Sequence, residues 1–253
     1  MRTNILGVPV DAVTGQQAVE RVRTALLSGN KPFFVVTPNP EFVVRAQKDR
    51  EFMDVLNQAD LSVPDGIGLL WAAKFQGQPL PERVTGADLT VDICRLAAEL
   101  GKTVYLLGGD PGMAEKSAES LKASFPGLKI VGAERGGRFY SGQDGKWRLD
   151  DATRERLHRA KPDILLVGLV FGGQEKWLRQ NLSRMPWLGL AMGVGGTFEF
   201  LGGKISRAPE SMRKMGLEWL WRLFIQPCRW KRIFRATVVF PLLIFKAKFG
   251  YNK

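Results

Sequence analysis

The chain of 253 residues has one histidine, two cysteines and no Asp-X-Asp pair, and each scarcity excludes some chemistry. A histidine-rich metal site cannot be built from His158 alone, and a Ser-His-Asp triad could exist only with His158 as its base. His158 lies in the polar run RERLHRAK and reads as a solvated helix residue. Cys94 and Cys228 are far apart, which excludes a disulfide framework and fits a reducing compartment. Long apolar runs are also missing. Near the C-terminus the longest, Ala236–Phe245, has ten residues and includes Pro241, whereas a span needs roughly 20. Asp11 interrupts the apolar N-terminus, so no leader peptide is expected. There is no internal repeat, and 45% hydrophobic residues with 25% charged ones exclude low-complexity disorder.

What is present is unevenly placed. Residues 204–253 hold 12 Lys and Arg against 2 Asp and Glu, a net of +10 out of the chain's +12. This divides the chain into a core, residues 1–203, and a basic tail, residues 204–253, whose partner should be acidic. The tail interleaves its cations with Trp219, Trp221, Phe224, Trp230 and Phe234, and Pro227 should divide it into two helices. Broad apolar cover with Trp and Arg suits helices lying in the interface of an anionic membrane. A helix pair packed on the core is the alternative. Nucleic acid is disfavoured, because no phosphate groove needs so many large apolar residues. Since every expected strand precedes Lys204, the core should fold without the tail.

The core alternates strands with helices. Asn4–Val8, Phe33–Thr37, LSVP before Asp65, Thr103–Leu107, LKIVG, DILLVG and LGLAMGVG read as strands, and Arg135–Gly145 reads as a Gly-rich loop. Near-continuous apolar strands predict a Rossmann-like parallel sheet with helices on both faces. Ligands bind such sheets outside the carboxyl ends of the strands. Five ends carry polar or Gly turns: Thr37–Asn39, Asp65–Gly66, Gly108–Asp110, Phe171–Glu175 and Gly193–Thr197. Together they read as one composite site. Gly101-Lys102-Thr103 lacks the earlier glycine of a P-loop and precedes a strand, so it is rejected. Gly108 and Gly109 could present backbone N–H groups to a phosphate, although Asp110 as a cap with Pro111 behind it explains GGDPG equally well. Asp65 closes an apolar strand with no Lys or Arg within eight positions, a setting that raises a carboxyl pKa and suits a general base; the competing reading is a helix cap. Arg83, in PLPERVTG, could reach an anion.

The run from Thr37 to Leu89, together with YLLGGDPGMAE, DILLVGLVFGGQEKW, AMGVGGTFEFLGGKISRAP and RKMGLEWLWRL, resembles the WecG/TagA/CpsF glycosyltransferases over nearly the whole chain. The resemblance implies inverting, metal-independent transfer from a UDP-sugar to a polyprenyl-diphosphate-linked sugar at the cytoplasmic face of a bacterial membrane. It also implies a C-terminal appendage that touches the membrane and completes the site. By residue, Asp65 matches the family's base, and Thr37, Asn39, Arg83 and Gln174 match its other polar positions. An appendage arginine such as Arg207 or Arg213 would join Arg83 on the departing diphosphate, without a metal or cofactor. The lack of Asp-X-Asp, with which many sugar-nucleotide transferases hold Mg²⁺ or Mn²⁺, agrees with that. Where the family usually has Pro, two places before the glutamine, this chain has Gly172, which should loosen the loop. Self-association is left open. A different class stays open too: a non-catalytic nucleotide-binding domain that docks on membranes.

Overall fold

The computed structural model describes residues 1–29 and 32–250. The chain opens with β1 (Arg2–Ile5) and β2 (Val8–Asp11), then α1 (Gly15–Ser28), β3 (Phe33–Val36), α2 (Pro40–Ala46), α3 (Arg50–Asn57), β4 (Leu61–Ser62) and α4 (Ile67–Phe75). Next come α5 (Gly86–Leu100), β5 (Thr103–Gly108), α6 (Met113–Ser124), β6 (Lys129–Glu134), β7 (Phe139–Ser141), β8 (Trp147–Leu149) and α7 (Asp151–Ala160). The core ends with β9 (Ile164–Gly168), α8 (Gly173–Asn181), β10 (Leu190–Gly193) and α9 (Thr197–Leu201). In the tail are α10 (Glu210–Lys214), α11 (Glu218–Ile225), α12 (Trp230–Phe234) and α13 (Phe240–Phe249).

Six parallel strands form the central sheet in the order β4-β3-β10-β9-β5-β6. Strand residues alternate between two cores, as the pleat requires. Phe34, Val36, Tyr105, Leu107, Leu165, Val167 and Ala191 pack with Phe42, Phe52, Leu157 and Trp177. Val35, Val104, Leu106, Ile164, Leu166, Leu190 and Met192 pack with Val22, Leu89, Ile93 and Leu121. Helices therefore cover both faces. A capping box opens α1, with Thr14 and Gln17 each accepting from the other's backbone N–H.

Two hairpins depart from the sequence expectations. The strand expected at Asn4–Val8 breaks at Leu6 and Gly7, both at positive φ, and Gly7 N–H donates to Asn4 Oδ1 at 2.7 Å. The Gly-rich loop contains β7, which pairs antiparallel with β8 just beyond it, with Phe139 stacked on Trp147.

The tail lies on the core, and its last helix belongs to it. Phe240 and Ile244 of α13 are buried in the same cluster as Phe42 and Leu69. Removing the tail would uncover that cluster. Pro227 does separate α11 from the later helices, as expected. Beyond it the chain stays helical through Pro241, because Arg235–Val239 takes a π-helical turn. The wider turn accommodates the proline's missing N–H and bulky ring. No helix among the described residues is long and apolar enough to cross a membrane.

Candidate active site

All five strand ends singled out in the sequence, together with the tail, line one cleft of about 920 Å³. Backbone bonds assemble its floor. Asp65 N–H donates to the Pro38 carbonyl at 2.9 Å, bringing the end of β4 beside Thr37 and Asn39 after β3. Val84 N–H donates to the Pro64 carbonyl at 3.0 Å, which carries the Arg83 loop alongside. Gly86 sits between them: a side chain there would crowd Thr37 Oγ1, and its own N–H donates to Asp65 Oδ2 at 3.2 Å.

Asp65 is half-buried in this wall and does not cap α4, whose N-cap Gly66 has no side-chain bond. Burial raises its pKa to about 6, against the pull of Gly86 N–H; Glu218 raises it further, Arg83 lowers it and Asp88 raises it. A carboxylate so tuned is ionised at neutral pH yet basic enough to accept a proton. Asn39, in the cleft lining, caps α2 through Oδ1, which accepts from Phe42 N–H at 3.1 Å. Arg83 reaches Glu218 Oε2 at 3.5 Å and the Arg213 carbonyl at 3.1 Å, tying this wall to the tail.

The facing wall is cationic. Arg222, Arg229 and Arg232 line the cleft, and Arg135 lines it from the loop after β6. Burial lowers the pKa of Arg222 to about 10, helped by the like charge of Arg229; burial and Arg232 lower Arg229 as well. Cations brought together at such a cost form a pole that an anion would relieve. Arg207 and Arg213 are not in the lining. Arg207 pairs with Asp88 at 2.5 Å, and Arg213 offers Arg83 its carbonyl. Sequence reasoning thus named a tail arginine but not Arg222, Arg229 or Arg232. The i, i+7, i+10 spacing was a signal, obscured by Pro227 between the first two.

Gln174 lines the cleft at the start of α8. Its Oε1 accepts from Leu169 N–H at 3.0 Å and its Nε2 donates to Glu175 Oε1 at 2.7 Å, so its amide is oriented. Burial raises the pKa of Glu175 to about 7, against that hydrogen bond. Gly172 meets a defined backbone requirement. It caps α8 at φ 73°, which proline cannot adopt, and the neighbouring Phe171 carbonyl accepts from Arg45 Nη1 at 2.6 Å. Gly109 is in the lining, whereas Gly108 is packed where a side chain would strike the Gly168 carbonyl. The phosphate-holding role expected of this turn meets competition: Gly109 N–H already donates to the Gly168 carbonyl and Asp110 N–H to Glu199 Oε1. His158 lies edge-on to Trp187, outside the lining. Among the described residues no three His, Cys, Asp or Glu side chains gather as metal ligands would.

Comparison with known proteins identifies relatives of the chain. The family described as "Glycosyl transferase WecG/TagA/CpsF family" matches residues 3–253. An N-acetylglucosaminyldiphosphoundecaprenol N-acetyl-beta-D-mannosaminyltransferase of Bacillus spizizenii is 32% identical over 215 residues, 85% of this chain and 80% of that protein. A Staphylococcus aureus protein of the same name is 31% identical over 247 residues, 97% of this chain and 91% of that one.

Proposed function

Because the chain belongs to the WecG/TagA/CpsF glycosyltransferase family, we propose that it moves a hexose or N-acetylhexosamine from a UDP-sugar to a polyprenyl-diphosphate-linked sugar, with inversion and without a metal ion. The names of the Bacillus and Staphylococcus relatives make N-acetylglucosaminyl-diphospho-polyprenol the first acceptor to test and N-acetylmannosamine the first sugar. Such a step belongs to cell-surface polysaccharide synthesis.

The observation that carries the reading is the pairing, in one cleft, of a half-buried carboxylate with pKa about 6 and a wall of three arginines. Asp65 takes the proton of the acceptor hydroxyl as its oxygen attacks the anomeric carbon. The bond from that carbon to the β-phosphate oxygen breaks, and UDP leaves with the electron pair. Arg83 and the tail arginines stabilise the charge that develops on the diphosphate. Thr37, Asn39 and Gln174 orient sugar hydroxyls.

Peripheral docking on an anionic membrane, at the cytoplasmic face where nucleotide-sugars are available, completes the reading. Its support is a series of aromatic contacts that begins in the cleft lining. Trp71, in the lining, stacks on Phe75 at 5.5 Å, Phe75 meets Phe245 at 5.0 Å, and Phe249 and Leu242 stand 71% and 63% exposed. Lys246 and Lys248 share that helix. A screen of UDP-sugars with a short-chain lipid-diphosphate N-acetylglucosamine tests the proposal: UDP release should need donor and acceptor together. Nucleotide binding without any acceptor-dependent release, across the whole screen, would favour the non-catalytic reading.

A further inference from the structure

Glu41 is the second residue of α2, and its side chain is 8% exposed although it borders the cleft. A carboxylate in the first turn of a helix is ordinarily stabilised by the helix dipole and left in solvent. This one instead faces the tail. Arg232 Nε donates to Glu41 Oε2 at 2.8 Å, and Arg235 Nη1 lies 3.8 Å from Glu41 Oε1. The face of the Arg232 guanidinium lies over the Phe171 ring, 4.9 Å from its centroid. Phe171 is itself fixed: Arg45 lies 5.2 Å from its centroid and donates to its carbonyl, and Phe42 packs edge-on against it at 5.0 Å.

Arg232, a residue of the cleft lining, is therefore gripped at Nε and on one face, while its two Nη groups take no protein acceptor among the described residues. A guanidinium held this way presents the flat fork that suits a diphosphate without first losing side-chain freedom. We propose that Glu41 is a positioning residue, which with Phe171 sets Arg232 to receive a diphosphate through its Nη groups. The inference rests on the diphosphate reading of the arginine wall given above. It differs from simple charge balance in sign: a carboxylate that merely competed for Arg232 would weaken anion binding, and removing it would tighten that binding.

Inorganic pyrophosphate binding to the full-length protein, measured by calorimetry, separates the two. Arg232→Ala should weaken binding about 10- to 100-fold, the worth of a charge-assisted contact. Glu41→Ala should lose most of the same factor, and the double variant should bind no more weakly than Arg232→Ala alone. Glu41→Gln, which keeps the acceptor and the volume, should lose less, and its effect should vanish in the Arg232→Ala background. It gives the same reading if Glu41→Ala does not fold. Losses that multiply in the double variant, or pyrophosphate bound as well or more tightly by the Glu41 variants, would overturn the positioning role while leaving the arginine wall intact. Unchanged binding by Arg232→Ala would overturn both.

Discussion

Replacing Asp65 by Asn tests burial and chemistry in one protein. In the folded state the carboxyl titrates near 6, against an ordinary 3.8. A gap of about 2 units is worth about 3 kcal/mol at most, at about 1.4 kcal/mol per unit. The sign follows from linkage. Below about pH 4 Asp65 is neutral in both folded and unfolded states and carries no penalty. As pH rises through 4 to 6 the unfolded chain ionises first, and above 6 the folded protein bears the whole cost of the buried charge. Asp65→Asn removes that cost and still offers an oxygen to Gly86 N–H. The variant should therefore be more stable than wild type at pH 8, by up to about 3 kcal/mol, or about 2 °C or more in Tm for each kcal/mol, with the gap closing near pH 4. Its turnover should fall about 10²- to 10⁴-fold, the worth of a positioned base. Paired thermal melts at the two pH values and a UDP-release assay read both effects. Equal melting temperatures at pH 8 would refute the buried-charge argument, and near-wild-type turnover would refute the base.

Other expectations follow from the same geometry. Wild-type kcat/KM should fall as pH drops through about 6, because the base must be ionised, and Asp65→Asn should flatten that limb of the profile. Turnover should survive EDTA, as leaving-group stabilisation by arginines implies; loss with chelator and recovery with Mg²⁺ or Mn²⁺ would contradict it. Phe240→Ala should cost about 3–5 kcal/mol in denaturant unfolding, because this tail residue is fully buried in the core; a cost below 1 kcal/mol would mean that the tail is not part of it. Replacing the more exposed Leu242 and Phe249 by Ser should cost little stability but reduce the salt-resistant part of binding to anionic vesicles in a flotation assay.

The sheet and the floor of the site were legible because their signals are local. Apolar runs ending in Thr37, Asp65, Gly109 or Gly193 give both the strands and the face on which their polar residues gather. The hairpins were harder. β1 and β2 are divided by Leu6, a non-glycine residue at φ 52° that no propensity would suggest, and β7 and β8 are three residues each, the first inside a Gly-rich loop and the second just beyond it. In the tail, apolar residues cover most of each helix, so pattern alone does not distinguish Phe240 and Ile244, which are buried, from Phe245 and Phe249, which are not. The tail arginines of the cleft lining were hidden for a related reason. Arg207 and Arg213 are nearer the core in sequence, but the fold engages Arg207 with Asp88 and turns Arg222, Arg229 and Arg232 toward the cleft.

The central claim is glycosyl transfer dependent on Asp65, and product formation tests it most directly. Purified protein would be incubated with UDP-N-acetylmannosamine, the other UDP-sugars and a short-chain lipid-diphosphate N-acetylglucosamine, and the lipid fraction weighed by mass spectrometry. The account predicts that one donor adds a single sugar residue to the acceptor, with a β linkage by NMR, and that Asp65→Asn forms this product at least about 100-fold more slowly. An unmodified acceptor with every donor, or the same product formed as fast by Asp65→Asn, would contradict it.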